Sequence, residues 1–393
     1  MEKIEDNSLN PTEITPDKSY RIKSIDFVKG FAICLIILAH SAGVWKRPYL
    51  APIYAIIYRY LDVFGPPLFI FLSGLSVAFT IKRKMGKIPE RDIRNTIFMR
   101  GFSIIALGIL YNLLSIGAID VLIPEINVPF PLNLWGWNIL LFIGFSQIIT
   151  YYIMKLTRGI RALIGIVIIL LTTPIYTIID NPLYYWFNPI IWVIRFIVIS
   201  PAAHNPILPY ISICFFASIF GEILMEVEYL DSKEAKLDAF HIYMRNGMFF
   251  VLTGLILFVL DGTPFRPEPG FDLFFPVFVF RAEPSNMFYS IGVALIVIGG
   301  LYYFIDIKGV NNYITSVFIF YGKISLSLFI IHYIWLTLYV GILDLSNVWF
   351  IYGGYIAFLG FLMYIWNHQF DGKYSLEWMM GGFKTKSFKK NSN

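Results

Sequence analysis

Two side chains in one apolar stretch have the types and spacing to do chemistry. Lys29 and His40 stand eleven residues apart in Ser24-Ile-Asp-Phe-Val-Lys-Gly-Phe-Ala-Ile-Cys-Leu-Ile-Ile-Leu-Ala-His-Ser. On a helix of 100° per residue they return to nearly the same face, about 16 Å apart along the axis. Asp26 lies within roughly 40° of that stripe. One face thus carries an acid and an amine toward one end and an imidazole toward the other. Ionisable groups in an apolar medium are costly, so each is by default a functional hypothesis. An imidazole there can act as a general base. The plainer alternatives are a neutral histidine hydrogen-bonded to a neighbouring helix and a lysine that snorkels to the interface.

The next apolar segment opens at Asp62 and runs antiparallel to the first, which brings Asp62 and His40 to the same end. A carboxylate beside an imidazole holds its tautomer and stabilises the imidazolium; the alternative is a carboxylate facing water. Asn112 and Asn138 fall near that level, and Gln147 lies deeper. His332 is a second histidine inside an apolar segment, with no acidic partner at its level. His204 and His241 sit in loops and His368 at a helix end, positions that suit structural roles. Glu222 stands near a helix end, where a loop lysine can pair with it. Cys34 and Cys214 lie in apolar runs without the usual metal spacings, so inert packing is expected rather than a disulfide or a metal site.

The elements that must position these groups follow from composition. Of 393 residues, 57% are hydrophobic and 15% charged, and the mean hydropathy is +0.67; soluble chains are nearer a quarter charged. Such a chain in water would expose aggregating surface, so an all-α, polytopic membrane bundle is expected. Read at roughly 20 apolar residues per span, the candidates are 25–44, 61–81, 97–116, 134–154, 160–179, 186–200, 206–224, 246–260, 287–305, 314–343 and 348–366.

Charge decides how many of them cross. Lys18, Arg21 and Lys23 precede the first segment, and Lys82, Arg83, Lys84, Lys87, Arg91 and Arg94 follow the second. Lys155, Arg158 and Arg161, then Lys233, Lys236 and Arg245, mark further basic loops, and the tail carries Lys373, Lys384, Lys386, Lys389 and Lys390. Basic loops favour the cytoplasmic side, which places both termini in the cytoplasm and requires an even number of crossings. About ten spanning helices satisfy this. The extra candidate, 186–200, is short, flanked by Pro189 and Pro201 and interrupted by Arg195, so it reads as re-entrant or interfacial. The domain reading is a polar tail over 1–20 without a cleavable signal peptide, one membrane domain over 21–370 and a basic cytoplasmic tail over 371–393. The loop 261–285 falls outside; its five prolines predict irregular structure, with the apolar run 274–280 on the membrane surface. The cell membrane is the default location.

Several of these residues carry a resemblance. Asp26-Phe-Val-Lys-Gly-Phe-Ala followed by His40 resembles the first-helix signature of the transmembrane acyltransferase superfamily. In acyltransferase type 3 members that signature is an arginine, ten residues and a histidine, and Lys29 stands here where arginine is usual. Residues 64–74 (FGPPLFIFLSG), 138–147 (NILLFIGFSQ) and 206–221 are more similar to the branch related to heparan-α-glucosaminide N-acetyltransferase. That branch has its catalytic histidine after the first helix, and no histidine lies between Ser41 and Asp62. The segment 322–332, ending at His332, is similar to one shared across the superfamily.

The resemblance implies transfer of an acetyl or other short acyl group from cytoplasmic acyl-CoA to a hydroxyl or amine of a sugar or glycolipid. His40 and Asp62 would be catalytic. Lys29, Asp26, Arg94, Arg100, Asn112, Asn138, Gln147 and His332 would bind substrate or coenzyme A, with Lys82 and Arg83 in the basic mouth. Direct transfer and an acyl-His40 intermediate both fit. The implied co-substrate is acetyl-CoA without a metal, and the implied partners are the lipid bilayer, acyl-CoA and a carbohydrate, with no nucleic acid. The competing class is a proton-coupled transporter or flippase, which would use the same intramembrane His, Asp and Lys but usually shows paired broken helices in two halves.

Overall fold

The computed structural model describes residues 21–122, 132–185, 187–199, 207–267, 273–339, 341–373 and 375–380. The expectations for 1–20, His204 and the last lysines fall outside these residues. The described chain is helical almost throughout: α1 Lys23–Trp45, α2 Ala51–Leu61, α3 Pro66–Lys84, α4 Glu90–Leu122, α5 Ile139–Ile153, α6 Arg158–Ile179, α7 Pro182–Tyr185, α8 Pro189–Val198, α9 Ile207–Leu230, α10 Lys233–Leu260, α11 Pro284–Leu301, α12 Tyr313–Lys323, α13 Ser325–Ile331 and α14 Leu345–Phe370. Local chemistry starts many of them. The side chains of Asn138, Thr157, Asn188, Ser232 and Asn312 each accept a first-turn N–H, and Pro66 opens α3 where a missing N–H costs nothing. The start of α1 is capped from afar, with Asp306 accepting the N–H groups of Lys23 and Ser24 at 2.9 and 3.0 Å.

Among the described residues eight helices are long and apolar enough to cross a membrane, and α12 with α13, bent by 73°, makes a ninth if the pair is counted as one span. The expected ten is reached only by adding α5, whose 15 residues extend about 22 Å, short of a hydrocarbon core of roughly 30 Å. The polytopic all-α bundle stands. Helix α9 is its hub, 78% buried over its span, and one core gathers Leu68, Phe71, Leu72, Phe142, Tyr210, Phe216, Met287 and Leu295 around it. A second core joins Ile33, Ile37 and Trp45 of α1 to Leu328, Phe329, Tyr355 and Leu359. Outward rows such as Leu163, Val167 and Leu170 of α6, and Met248, Leu252, Ile256 and Val259 of α10, are exposed. Their helical spacing marks lipid-facing stripes.

Four details differ from the sequence reading or sharpen it. Helix α2 occupies a stretch where no element is predicted. The segment 314–343 is broken at Ile324 and continues as a 3-10 helix, His332–Tyr339. Helix α8 buries no residue and ties Arg195 to Asp180 at 2.8 Å, as suits an interfacial segment. The loop 261–285 forms a small hairpin, Phe265–Pro267 against Phe274–Pro276. Its apolar run alternates: Phe275, Val277 and Val279 point inward and are buried, while Phe274 is exposed.

Candidate active site

Helix α1 and the broken span meet backbone to backbone. A Cβ on Gly30 would lie 1.9 Å from the Phe318 carbonyl oxygen, and one on Gly322 would lie 1.8 Å from that of Asp26. Only glycine permits that approach. His40 and His332 each follow their glycine by ten residues, and they meet: His40 Nδ1 lies 2.9 Å from His332 Nε2. The rings are nearly parallel, at 22° with centroids 5.2 Å apart. Tyr333 and Phe329 set their edges against both rings, and Tyr111 packs behind them.

The network assigns the protons. His332 is fully buried, and its Nδ1 lies 3.3 Å from the Leu328 carbonyl oxygen. A carbonyl only accepts, so that nitrogen carries hydrogen, and Nε2 of the neutral ring accepts from His40 Nδ1. The basic nitrogen of His40 is then Nε2. His332 is thus the partner that sequence reasoning sought for His40 in an acid. The end of α1 is laced to the same segment: Trp45 Nε1 donates to Leu336 O, and Gly341 N and Leu343 N donate to Val44 O and Trp45 O at 3.0 and 2.9 Å.

Asp62 is at the same end but is engaged elsewhere. Both its carboxylate oxygens accept from Arg281, at 2.6 Å for Nε to Oδ2, and Arg281 also donates to the Tyr58 hydroxyl. Tyr58 stacks on Tyr54 at 25°, and Tyr54 donates to Ala39 O at 3.0 Å, beside His40. Burial lowers the pKa of the Arg281 guanidinium, but Asp62 and Tyr58 outweigh it and hold the pKa well above its ordinary value. Lys46, over the Tyr54 ring at 4.4 Å, is lowered by its burial. Arg281, Tyr58 and Tyr54 were not candidates from sequence. One signal was available: Arg266 and Arg281 stand in a loop that the charge rule places outside, and both are paired, Arg266 with Glu283 and Asp261.

Asn112 and Asn138 are bonded to each other and to the backbone. Asn138 Nδ2 donates to Asn112 Oδ1 at 2.6 Å and to Gly108 O at 2.8 Å, while Asn112 Nδ2 donates to Leu134 O and Gly136 O. Gln147 is half-buried on α5.

The Lys29 end is cationic. Lys29 donates to Ser76 Oγ at 2.8 Å, Asp26 pairs with Arg21, and Arg94 is exposed. Lys82 leaves the basic mouth for Glu222, which also takes Arg161 and Arg158. That agrees with the expected loop-lysine pairing and extends it. Arg100 is half-buried, and its Nε is buried without a hydrogen-bond partner among the described residues.

The family described as heparan-alpha-glucosaminide N-acetyltransferase, catalytic, matches residues 21–260. No curated protein matches the chain. The match covers more than half of the 393 residues and includes His40, Lys29 and Asp62, while Arg281 and His332 lie beyond it. The chain therefore belongs to the heparan-alpha-glucosaminide N-acetyltransferase family, as a multi-pass membrane acetyltransferase.

Proposed function

We propose that the protein moves an acetyl group from acetyl-CoA to an amine or hydroxyl of a sugar or glycolipid, with His40 as general base. The observation that carries this reading is the His40–His332 hydrogen bond. The acceptor's lone pair attacks the thioester carbonyl carbon, and its proton passes to His40 Nε2. The resulting imidazolium is held through Nδ1–H by His332 Nε2. Collapse of the tetrahedral adduct breaks the C–S bond, and the proton goes to the departing thiolate. His332 serves the role an acid serves in a catalytic triad, but without a negative charge in an apolar cage. Asp62 acts one layer behind, anchoring Arg281 and the tyrosine pair.

Coenzyme A enters from the Lys29 end, which in this reading faces the cytoplasm of the cell that holds the protein in its membrane. Lys29, Arg83, Arg94 and Arg100 suit its phosphates, and the buried Nε of Arg100 supports an anionic ligand there. About 16 Å of helix from Lys29 to His40 matches the scale of the pantetheine arm.

The test is free-thiol release from acetyl-CoA by purified protein in detergent, with a native membrane extract supplying the acceptor. His40→Ala should lower turnover by about a hundredfold or more. An intact thioester with folded wild-type protein would sink the acetyl-transfer reading and return attention to transport.

A further inference from the structure

We propose that Glu377, close to the C-terminus, is a positioning residue for the His40–His332 couple. The inference rests on the reading of His40 as the base. It starts from the break in the span that carries His332.

Breaking a helix leaves the first N–H groups of its second half without acceptors, which is costly in an apolar interior. The break at Ile324 supplies no side-chain cap of its own. Glu377 fills the need from fifty residues away. Its Oε1 accepts from Leu326 N at 2.8 Å and Ser327 N at 3.0 Å, and its Oε2 accepts from Ser327 Oγ. Leu376 N returns a bond to Ser327 Oγ at 3.2 Å.

The carboxylate is delivered deliberately. Asp371 and Gly372 adopt left-handed backbone, with φ of 49° and 69°, and turn the chain back after α14. The helical turn 376–380 is then capped by Ser375 Oγ on Trp378 N at 3.1 Å, and Met380 packs on the second core. One residue beyond Ser327 is Leu328, whose carbonyl fixes the proton on His332 Nδ1. Helix α13 is a rod about 10 Å long with Glu377 at its base and His332 at its tip. A tilt of about 10° at the base displaces the tip by roughly 2 Å, and misplacement of about 1 Å can cost a hundredfold in rate. The carboxylate therefore sets the geometry of a bond it does not touch.

Glu377→Gln keeps the shape and loses one acceptor oxygen; Glu377→Asp keeps the charge. Thiol-release kinetics should show kcat lowered about tenfold in Glu377→Gln with KM for acetyl-CoA within about twofold, and most of kcat regained in Glu377→Asp. A second arm needs no turnover: the rate of His40 carbethoxylation by diethyl pyrocarbonate, followed by peptide mass spectrometry, should change about threefold or more in Glu377→Gln. If Glu377→Gln fails to fold, Ser327→Ala replaces it in both arms, with kcat expected to fall about threefold at unchanged KM. Unchanged kcat together with unchanged His40 reactivity overturns the proposal, as does a loss that Glu377→Asp cannot restore. If wild type releases no thiol, the carbethoxylation arm still decides: altered His40 reactivity upholds the positioning role while the transfer reading falls.

Discussion

The two ends of helix α1 handle charge in opposite ways. At the His40 end Asp62 holds Arg281 in a buried pair, Lys46 lies over the Tyr54 ring, and the histidine pair is walled by Tyr333, Phe329 and Tyr111. At the Lys29 end cations outnumber acids: Lys82, Arg158 and Arg161 converge on Glu222, and Arg158 also takes Glu226. Arg83, Lys84 and Arg100 add further positive charge nearby. A proton in transit needs a fixed acceptor, which the first arrangement provides in His332. A polyanion needs an excess of cations, which the second provides. The contrast teaches that the two proposed tasks are separated along one helix rather than mixed in one cleft.

The largest structural effect should come from unmatching the pair at the His40 end. Arg281→Met leaves the Asp62 carboxylate buried without its cation, at a cost of about 3–5 kcal/mol. Arg281→Met with Asp62→Leu should recover much of that, because the charge to be compensated is gone. Denaturant titration of both proteins in detergent measures it. Equal stability of wild type and Arg281→Met would break the comparison, since the pair would then be incidental.

Much of this was legible in the sequence, and the misses share a cause. Composition and apolar segment lengths were sufficient for the membrane bundle, because lipid demands long apolar helices whatever their packing. Lys29, His40 and Asp62 were visible as costly residues in apolar runs. What could not be read was pairing across distance. His332 and Arg281 are 292 and 219 residues from His40 and Asp62, and no periodicity connects them. The break at Ile324 was also hidden, since an apolar run looks the same straight or bent, and the acceptor that stabilises the break, Glu377, lies beyond the next helix. The partners of Asn112 and Asn138 were hidden for a related reason: an amide's bonds to another amide and to distant backbone carbonyls leave no trace in the spacing.

A smaller effect should follow at the other end. Glu222→Gln removes the carboxylate from Arg161, which is 2% exposed, while Lys82 and Arg158 can swing toward solvent. The loss should be about 2–3 kcal/mol, the scale of a hydrogen bond to a charged group. KM for acetyl-CoA should stay level or fall, since Lys82 is released toward the proposed phosphate mouth. A raised KM would instead place Glu222 and its cations within the mouth and redraw the boundary between the two regions.

The smallest effect, and the sharpest for the comparison, concerns Lys29. It sits on the same helix face as His40 yet donates to Ser76 Oγ rather than to any acid. If it serves coenzyme A, Lys29→Met removes one charge-assisted contact made equally in ground and transition states. KM for acetyl-CoA should then rise about tenfold, some 1.4 kcal/mol, with kcat unchanged. Lys29→Arg should restore KM, because a guanidinium reaches phosphate with a better fork than an ammonium does. Were kcat to fall while KM held, Lys29 would belong to the chemical step. The division of labour along α1 would then have to give way to a single polar track running from one end of the helix to the other.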